Sequence, residues 1–303
     1  MIYEFENSVN EQVNLAKEKG IELFIKREDK LHAFVSGNKY RKLKYNLLQA
    51  EKTSYKTLLT FGGAFSNHIA AVASAGNLIG FNTIGVIRGD ELPNKIEDNP
   101  TLRFAKANGM KFKFVTREDY RNKTSENFLN ALNEEFGEFY MIPEGGTNSF
   151  AIKGCEEILT EKDIVFDYVC CAVGTGGTIS GIINCSKPSQ QVLGFPALKG
   201  DFLKDDISKF AVQSNWKLIT DYHFGGYAKI NEELVTFINH FKSDYRIPLD
   251  PVYTGKMLFG IMDLIEKDYF PKGSKILAIH TGGLQGIEGM NATLKKKKLP
   301  III

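Results

Sequence analysis

The 303-residue chain lacks most of the features that would place it in a specialised class. It has four cysteines, Cys155, Cys170, Cys171 and Cys185, two of them adjacent in an apolar run. No metal-ligand spacing links them, so no metal is expected. They are expected to be small buried hydrophobes in a reducing compartment. The net charge of +2 gives no electrostatic case for nucleic acid or a membrane surface as a partner. No apolar run is long enough to span a bilayer. Met1–Glu6 shows no basic region followed by an apolar stretch, so no signal peptide is expected and a cytoplasmic location follows. No lysine and hydroxyl residue close a glycine-rich phosphate loop in the Walker manner, and no dinucleotide-type glycine spacing occurs. There is no internal repeat. The one low-complexity segment is Lys295–Lys298, which leads into Leu299, Pro300 and three isoleucines, Ile301–Ile303. Solvated lysines and packed isoleucines, on an edge or in an oligomer contact, are the first expectation there. A membrane or targeting role is the alternative.

What remains is an ordinary globular composition, 43% hydrophobic and 24% charged, long enough for one large domain or two moderate ones. Strand and helix patterns alternate. Strands are expected at 21–26, 57–61, 82–87, 111–115, 139–143, 167–173, 191–195 and 275–280. Helices are expected at 69–75, 99–108, 125–136, 151–160, after Thr178, and at 203–215, 231–240 and 256–267. Such alternation predicts the α/β class with a mainly parallel sheet. Pro100 near a helix start, and Ser66 or Asn67 as an N-cap, agree with it.

Three strand-to-helix turns are rich in glycine. The turn after Val173, Gly174-Thr175-Gly176-Gly177-Thr178, has the makings of a phosphate cradle. Glycines admit a close ligand, amide N–H groups point outward, and the helix dipole favours an anion. A tight turn without a ligand is the other reading. Ser66-Asn67-His68 follows Gly62-Gly63, and Thr281-Gly282-Gly283 ends the last strand. In a parallel sheet such turns lie at the carboxyl ends of strands, where ligands bind. Tyr253 precedes a helix, where a packed aromatic is the simplest expectation. Lys39 is less easily placed. Helical periodicity sets it on one face with Leu43, Leu47 and Ala50, while Lys42, Asn46 and Gln49 form a polar face. Lys39 is either a solvated helix-start cation or an amine held for chemistry. Desolvation would lower its pKa and make it a nucleophile. A phosphate cradle, an apolar-face lysine and no nicotinamide or metal motif together suggest pyridoxal phosphate.

The chain resembles the family of 1-aminocyclopropane-1-carboxylate deaminases and D-cysteine desulfhydrases, over nearly its whole length. Lys26-Arg27-Glu28-Asp29 followed by Gly37–Leu43 is similar to the family's cofactor-lysine motif. Gly62–His68, Pro143–Asn148, Gly174–Thr178, Asp250–Lys256 and His280–Gly283 match further motifs in order. The resemblance implies a two-domain, three-layer α/β/α fold of the tryptophan-synthase-β-like type, fold type II of the pyridoxal-phosphate enzymes. A large domain would comprise residues 1–41 and 147–303, with a small domain, 42–146, inserted. Lys39 would hold the cofactor, Asn67 its ring hydroxyl, and Gly174, Thr175, Gly176, Gly177 and Thr178 its phosphate. Ser66, Asn67 and His68 would take the substrate carboxylate. Tyr227 and Tyr253 would lie over the reacting carbon. The α-proton would go to Lys39, Ser66 or a tyrosine. Family membership also implies a homodimer.

Residues 254 and 281 separate the activities in the family. The deaminases carry Glu and Leu there, and the desulfhydrases carry hydroxyl residues. This chain has Thr254 and Thr281, and His68 in place of Gln also resembles the desulfhydrases. A carboxylate would keep the ring nitrogen protonated, whereas a hydroxyl suffices when a good leaving group departs. The implied activity is a lyase acting on D-amino acids, converting D-cysteine to pyruvate, sulfide and ammonia by α-proton abstraction and β-elimination. The cyclopropane deaminase activity is the alternative. A binding protein that kept the fold with little catalysis is a third. Ser36, where the family has glycine, and the Leu284–Met290 stretch depart from the pattern.

Overall fold

The structure, a computed structural model, describes residues 4–15, 20–200 and 202–303. In chain order the strands are β1 (Asn10–Val13), β2 (Glu22–Lys26), β3 (Thr57–Gly63), β4 (Asn82–Arg88), β5 (Lys111–Val115), β6 (Tyr140–Ile142), β7 (Tyr168–Val173), β8 (Gln191–Pro196), β9 (Trp216–Leu218) and β10 (Lys275–Ile279). The helices are α1 (Asn38–Glu51), α2 (Asn67–Ile79), α3 (Pro100–Ala107), α4 (Arg117–Arg121), α5 (Glu126–Phe136), α6 (Ser149–Cys155), α7 (Gly177–Cys185), α8 (Phe202–Ser208), α9 (Glu232–Tyr245), α10 (Thr254–Glu266) and α11 (Gly286–Lys296). They surround two sheets, ordered β1-β2-β10-β7-β8-β9 and β5-β4-β3-β6. All pairings are parallel except β1 with β2. Mainly parallel sheets flanked by helices make this the α/β class that the alternation predicts.

Each sheet is buried on both faces, which is why its strands read as continuous apolar runs. In β7, Cys170 and Ala172 join a core with α9, α10 and α11, while Val169, Cys171 and Val173 join one with α7 and α8. In β3, Leu58 packs with α1, α2 and α3, and Leu59 and Phe61 pack toward α4 and α5. The core beside α1 reaches back along the chain to Leu31, Val35 and Tyr40. Three of the four cysteines are buried and all four are free thiols.

The expected strands and most helices occupy the expected places. The elements not anticipated are β1, β9, α4 and α11. The two strands hold four and three residues, too few for a period-2 signal. The helix expected at 151–160 stops at Cys155, and the N–H groups of Glu157 and Ile158 tighten to bond the carbonyls three residues back, Gly154 and Cys155. Gly154 explains the α6 crossing: a Cβ there would stand 2.0 Å from the Arg41 carbonyl of α1. The helix expected at 203–215 ends at Ser208. Gln213 and Asn215 instead bond the carbonyls of Ile183, Ser186 and Gln190, and the chain feeds β9.

The charged run Lys26–Asp29 is buried and every member is paired. Lys26 binds Asp163 at 2.8 Å, Arg27 binds Glu11 and Asp29, and Glu28 takes a two-pronged bond from Arg41 at 2.7 and 2.8 Å. Removing one partner of such a pair costs about 3–5 kcal/mol, because the other charge stays buried. These pairs tie the end of β2 to α1 and so set where Lys39 stands. At the far end, Ile302 is buried in the large-sheet core, held by Asn291 through both backbone groups at 2.9 and 2.8 Å. The lysines of Lys295–Lys298 are exposed, as expected. Among the described residues no helix is long and apolar enough to cross a membrane.

Candidate active site

The carboxyl ends of β3, β4, β7 and β10 converge on one cavity of about 200 Å³. The lysine segment is seated on the turn after β10. Gly37 has φ 62°, and a Cβ there would stand 1.9 Å from the Thr281 carbonyl oxygen, so only glycine fits. Asn38 N–H donates to that same oxygen at 3.3 Å. His280 shapes the turn from below: Nε2 faces the Pro248 carbonyl at 2.7 Å, and Nδ1 accepts from Gly282 N–H at 3.2 Å.

Lys39 lines the cavity, its Nζ 3.4 Å from Asn38 Oδ1. Burial of the amine, and next the charge of Lys42, lower its pKa to about 7. The amine lines the cavity rather than the outer surface of α1, and an amine near neutrality is a nucleophile and a base at ordinary pH. The polar face of α1 is not solvated either. Lys42 is 2% exposed and donates to the Gly145 carbonyl at 2.9 Å and Thr147 Oγ1 at 3.1 Å. Asn46, also buried, exchanges bonds with Asn148. A helix face of this composition looks solvated only until a second polar loop packs on it.

The turn after β7 faces this group. Gly176, at φ 82°, precedes α7, whose first N–H groups have no partner within the helix. A Cβ on Gly177 would stand 3.2 Å from Lys42 Nζ, and one on Gly174 would stand 3.1 Å from the Tyr253 ring. Thr175 Oγ1 lies 2.6 Å from Thr147 Oγ1, and Thr178 Oγ1 accepts from Asn38 Nδ2 at 2.8 Å. Backbone donors, hydroxyls and one buried ammonium thus surround a space that no side chain fills, which is what an anion requires.

Ser66 is the N-cap of α2, its Oγ accepting from Ile69 N–H at 3.4 Å. Asn67 lies against the Gly283 turn, where a Cβ would come within 2.6 Å of its Nδ2. The His68 ring is buried against Thr60, Nε2 to Oγ1 at 2.8 Å. Because the Thr60 hydroxyl donates to the Ile142 carbonyl, His68 Nε2 carries the proton and Nδ1 is left without a partner. Burial, then the charges of Lys39 and Lys42, hold its pKa well below 6.5. The ring is held neutral, with Nδ1 buried beside Gly146, so an anion at this loop would meet the His68 backbone rather than its ring.

Tyr253 and Tyr227 cross edge to face, 6.2 Å between centroids. Burial, and then Tyr227 and Asp250, push the Tyr253 phenol well above 10, so it stays protonated. Tyr227 is 43% exposed, on a loop with positive φ at Phe224, Gly225, Gly226 and Ala228. Lys256 fixes that loop by donating to the carbonyls of His223 and Gly226 at 2.9 and 2.8 Å. Thr281 lines the cavity, but Thr254 does not. Thr254 is fully buried, its hydroxyl donating to Asp250 Oδ2 at 2.7 Å. Asp250 also accepts the N–H groups of Val252, Tyr253 and Thr254, and so holds the turn that leads into α10. Of the expected residues, Gly177 and Thr254 alone stand behind the cavity wall. Lys42, Arg88, Glu144 and Asp250 were not anticipated individually. The one available signal was that Lys42 lies one helical turn after Lys39.

A cavity with a neutral lysine opposite an anion cradle is what a phosphate-bearing aldehyde needs, and the comparisons agree. A family model described as "Pyridoxal-phosphate dependent enzyme" matches residues 6–282. The chain belongs to that family. It is 33% identical over 300 residues to the mitochondrial bifunctional D-cysteine desulfhydrase/1-aminocyclopropane-1-carboxylate deaminase of Arabidopsis thaliana, covering 88% of this chain and 74% of that one. It is 32% identical to a putative 1-aminocyclopropane-1-carboxylate deaminase of Pyrococcus horikoshii, covering 90% and 88%. A crystal structure of an ACC deaminase homologue superposes with a TM-score of 0.79 at 28% identity, over 92% of this chain and 90% of that one. These relatives place the chain in the deaminase/desulfhydrase group of the pyridoxal-phosphate enzymes. The residues present fit the cofactor: Lys39 for the aldehyde, and the Gly174–Thr178 cradle with Lys42 for the phosphate.

Proposed function

We propose that this pyridoxal-phosphate enzyme is a lyase acting on D-amino acids, with D-cysteine as substrate. D-Cysteine and water would give pyruvate, hydrogen sulfide and ammonia. The observation that carries the reading is that hydroxyl residues, not carboxylates, stand at 254 and 281: Thr281 lines the cavity, and Thr254 lies behind its wall, bound to Asp250. Bound at Lys39, pyridoxal phosphate supplies an aldehyde that captures an amino group and a ring that accepts electrons. The chain's own residues do the rest. Lys39, neutral above about pH 7, is the base we assign to the α-proton. Ser66 is committed to capping α2, and the Tyr253 phenol is too weak an acid to serve as a base at neutral pH. Tyr253 and Tyr227 keep their protons and donate them toward the reacting carbon or the leaving sulfur. The N–H groups of Asn67 and His68, at the α2 start, and the Ser66 hydroxyl hold the substrate carboxylate. Asn67 and Thr281 face the ring.

A cyclopropane deaminase is the second reading, and one observation favours it. The Asp250 carboxylate stands 2.7 Å behind the Thr254 hydroxyl and could support a protonated ring nitrogen through it. Relatives carrying the deaminase name agree. Keto-acid analysis of the cofactor-loaded enzyme separates the two, with D-cysteine, L-cysteine and 1-aminocyclopropane-1-carboxylate supplied in parallel. Pyruvate from D-cysteine alone is expected. 2-Oxobutanoate from the cyclopropane acid would move the protein to the second reading.

We further assign residues 1–41 and 147–303 to a large domain and 42–146 to a small one. The support is the confinement of β3–β6 to their own sheet. A cytoplasmic homodimer completes the proposal.

A further inference from the structure

The cavity wall carries more positive charge than the reading above uses. Its basic side chains are Lys39, Lys42 and Arg88, and its one carboxylate is Glu144. Glu144 is already held, by the Tyr120 hydroxyl at 2.8 Å and Lys123 at 3.1 Å. Lys39 is spent on the aldehyde and Lys42 stands at the anion cradle. Arg88 is left over. It ends β4, directly opposite Gly63 in the register of β3, and is exposed. Its Nη2 lies 3.8 Å from where a Gly63 Cβ would be, so the guanidinium lies beside Gly63, and both line the cavity with Ser66. On its other side the Tyr120 ring lies 5.7 Å away. Among the described residues no carboxylate pairs with it. An arginine stacked on an aromatic, spread over a glycine and left without a partner at a cavity wall has its planar fork free for an anion.

We propose that Arg88 is a specificity determinant that binds a second anion, carried on the side chain of the substrate. Beside D-cysteine, the site then takes a second class of substrate, an amino acid whose side chain ends in a carboxylate or comparable anion in addition to its α-carboxylate. This rests on the reading that the α-carboxylate sits at the Ser66–His68 turn. A single-carboxylate substrate leaves Arg88 unused, whereas a dianionic one uses both places.

The test measures binding rather than turnover. Purified cofactor-loaded enzyme is titrated with D-alanine, D-aspartate and their L-isomers, none of which carries a β-leaving group. The shift in the bound cofactor's absorption reports each affinity. D-Aspartate is expected to bind about tenfold or more tighter than D-alanine, the effect of one charge-assisted pair. Arg88→Gln should erase that ratio and Arg88→Lys should keep most of it. No preference for aspartate in the wild type would overturn the proposal, as would no response to any ligand. So would an Arg88→Gln that weakens alanine and aspartate alike, which would give Arg88 the α-carboxylate. If Arg88→Gln does not load cofactor, Arg88→Lys against the wild type still reads the ratio. The aspartate preference seen only among L-isomers would support the Arg88 assignment while refuting the D-amino-acid reading.

Discussion

Lys39 shows how one residue is made reactive by its surroundings. Its amine is desolvated and faces the Lys42 charge, which lowers its pKa from 10.5 to about 7. An unfolded chain therefore binds one more proton than the folded one between about pH 7 and 10.5. For this group, stability is lowest at and below pH 7 and is recovered as pH rises toward 10.5. Lys39→Met should stabilise the cofactor-free protein by about 2 kcal/mol at pH 6, a value discounted because the side chain keeps some contact with cleft water. The gain should shrink by pH 10. Urea midpoints at the two pH values measure it, and a gain independent of pH would refute the desolvation argument. His68 illustrates a different outcome: buried beside two lysines, it is held neutral and packs against Thr60 as a structural residue.

At the scale of elements, the site is a set of turns fitted to one another through missing side chains. Gly37 on the Thr281 carbonyl, Gly174 beside Tyr253 and Gly283 beside Asn67 and Asp250 each bring together segments far apart in sequence. Gly37→Ala adds both a left-handed alanine, about 1–2 kcal/mol, and a clash with Thr281. We expect cofactor affinity to fall about tenfold or more, measured by equilibrium dialysis. Gly80→Ala is the control. Gly80 caps α2 at φ 77° with open space around it, so its substitution should lower stability and leave cofactor affinity unchanged. Equal effects of the two substitutions would mean that the seating of α1 on the β10 turn does not matter.

At the scale of the whole molecule, the chain's last residues close the large-sheet core. Ile302 inserts between α9 and α11, while Asn239 and Lys242 bond the backbone of Ile301 and Ile303. Ile302→Ala should cost about 2–4 kcal/mol, read as a lower urea midpoint. An unchanged midpoint would show the tail to be an ornament of the surface.

The alternation of apolar runs and glycine turns was enough to establish the α/β class, the parallel strands and the three turns that line the cavity. Those signals are local: a buried strand must be continuously apolar, and a turn that admits a ligand must be free of side chains. Lys39 could be singled out by periodicity, but not its reactivity, because desolvation depends on what packs over the amine. The tertiary structure alone decided that the polar face of α1 is buried. It likewise decided that the charges of Lys26–Asp29 are all paired, that Thr254 is bound to Asp250 rather than open to the cavity, and that no carboxylate among the described residues pairs with Arg88. Each of these is a relation between side chains distant in sequence, made by close approach of segments whose own patterns carry no trace of their partners.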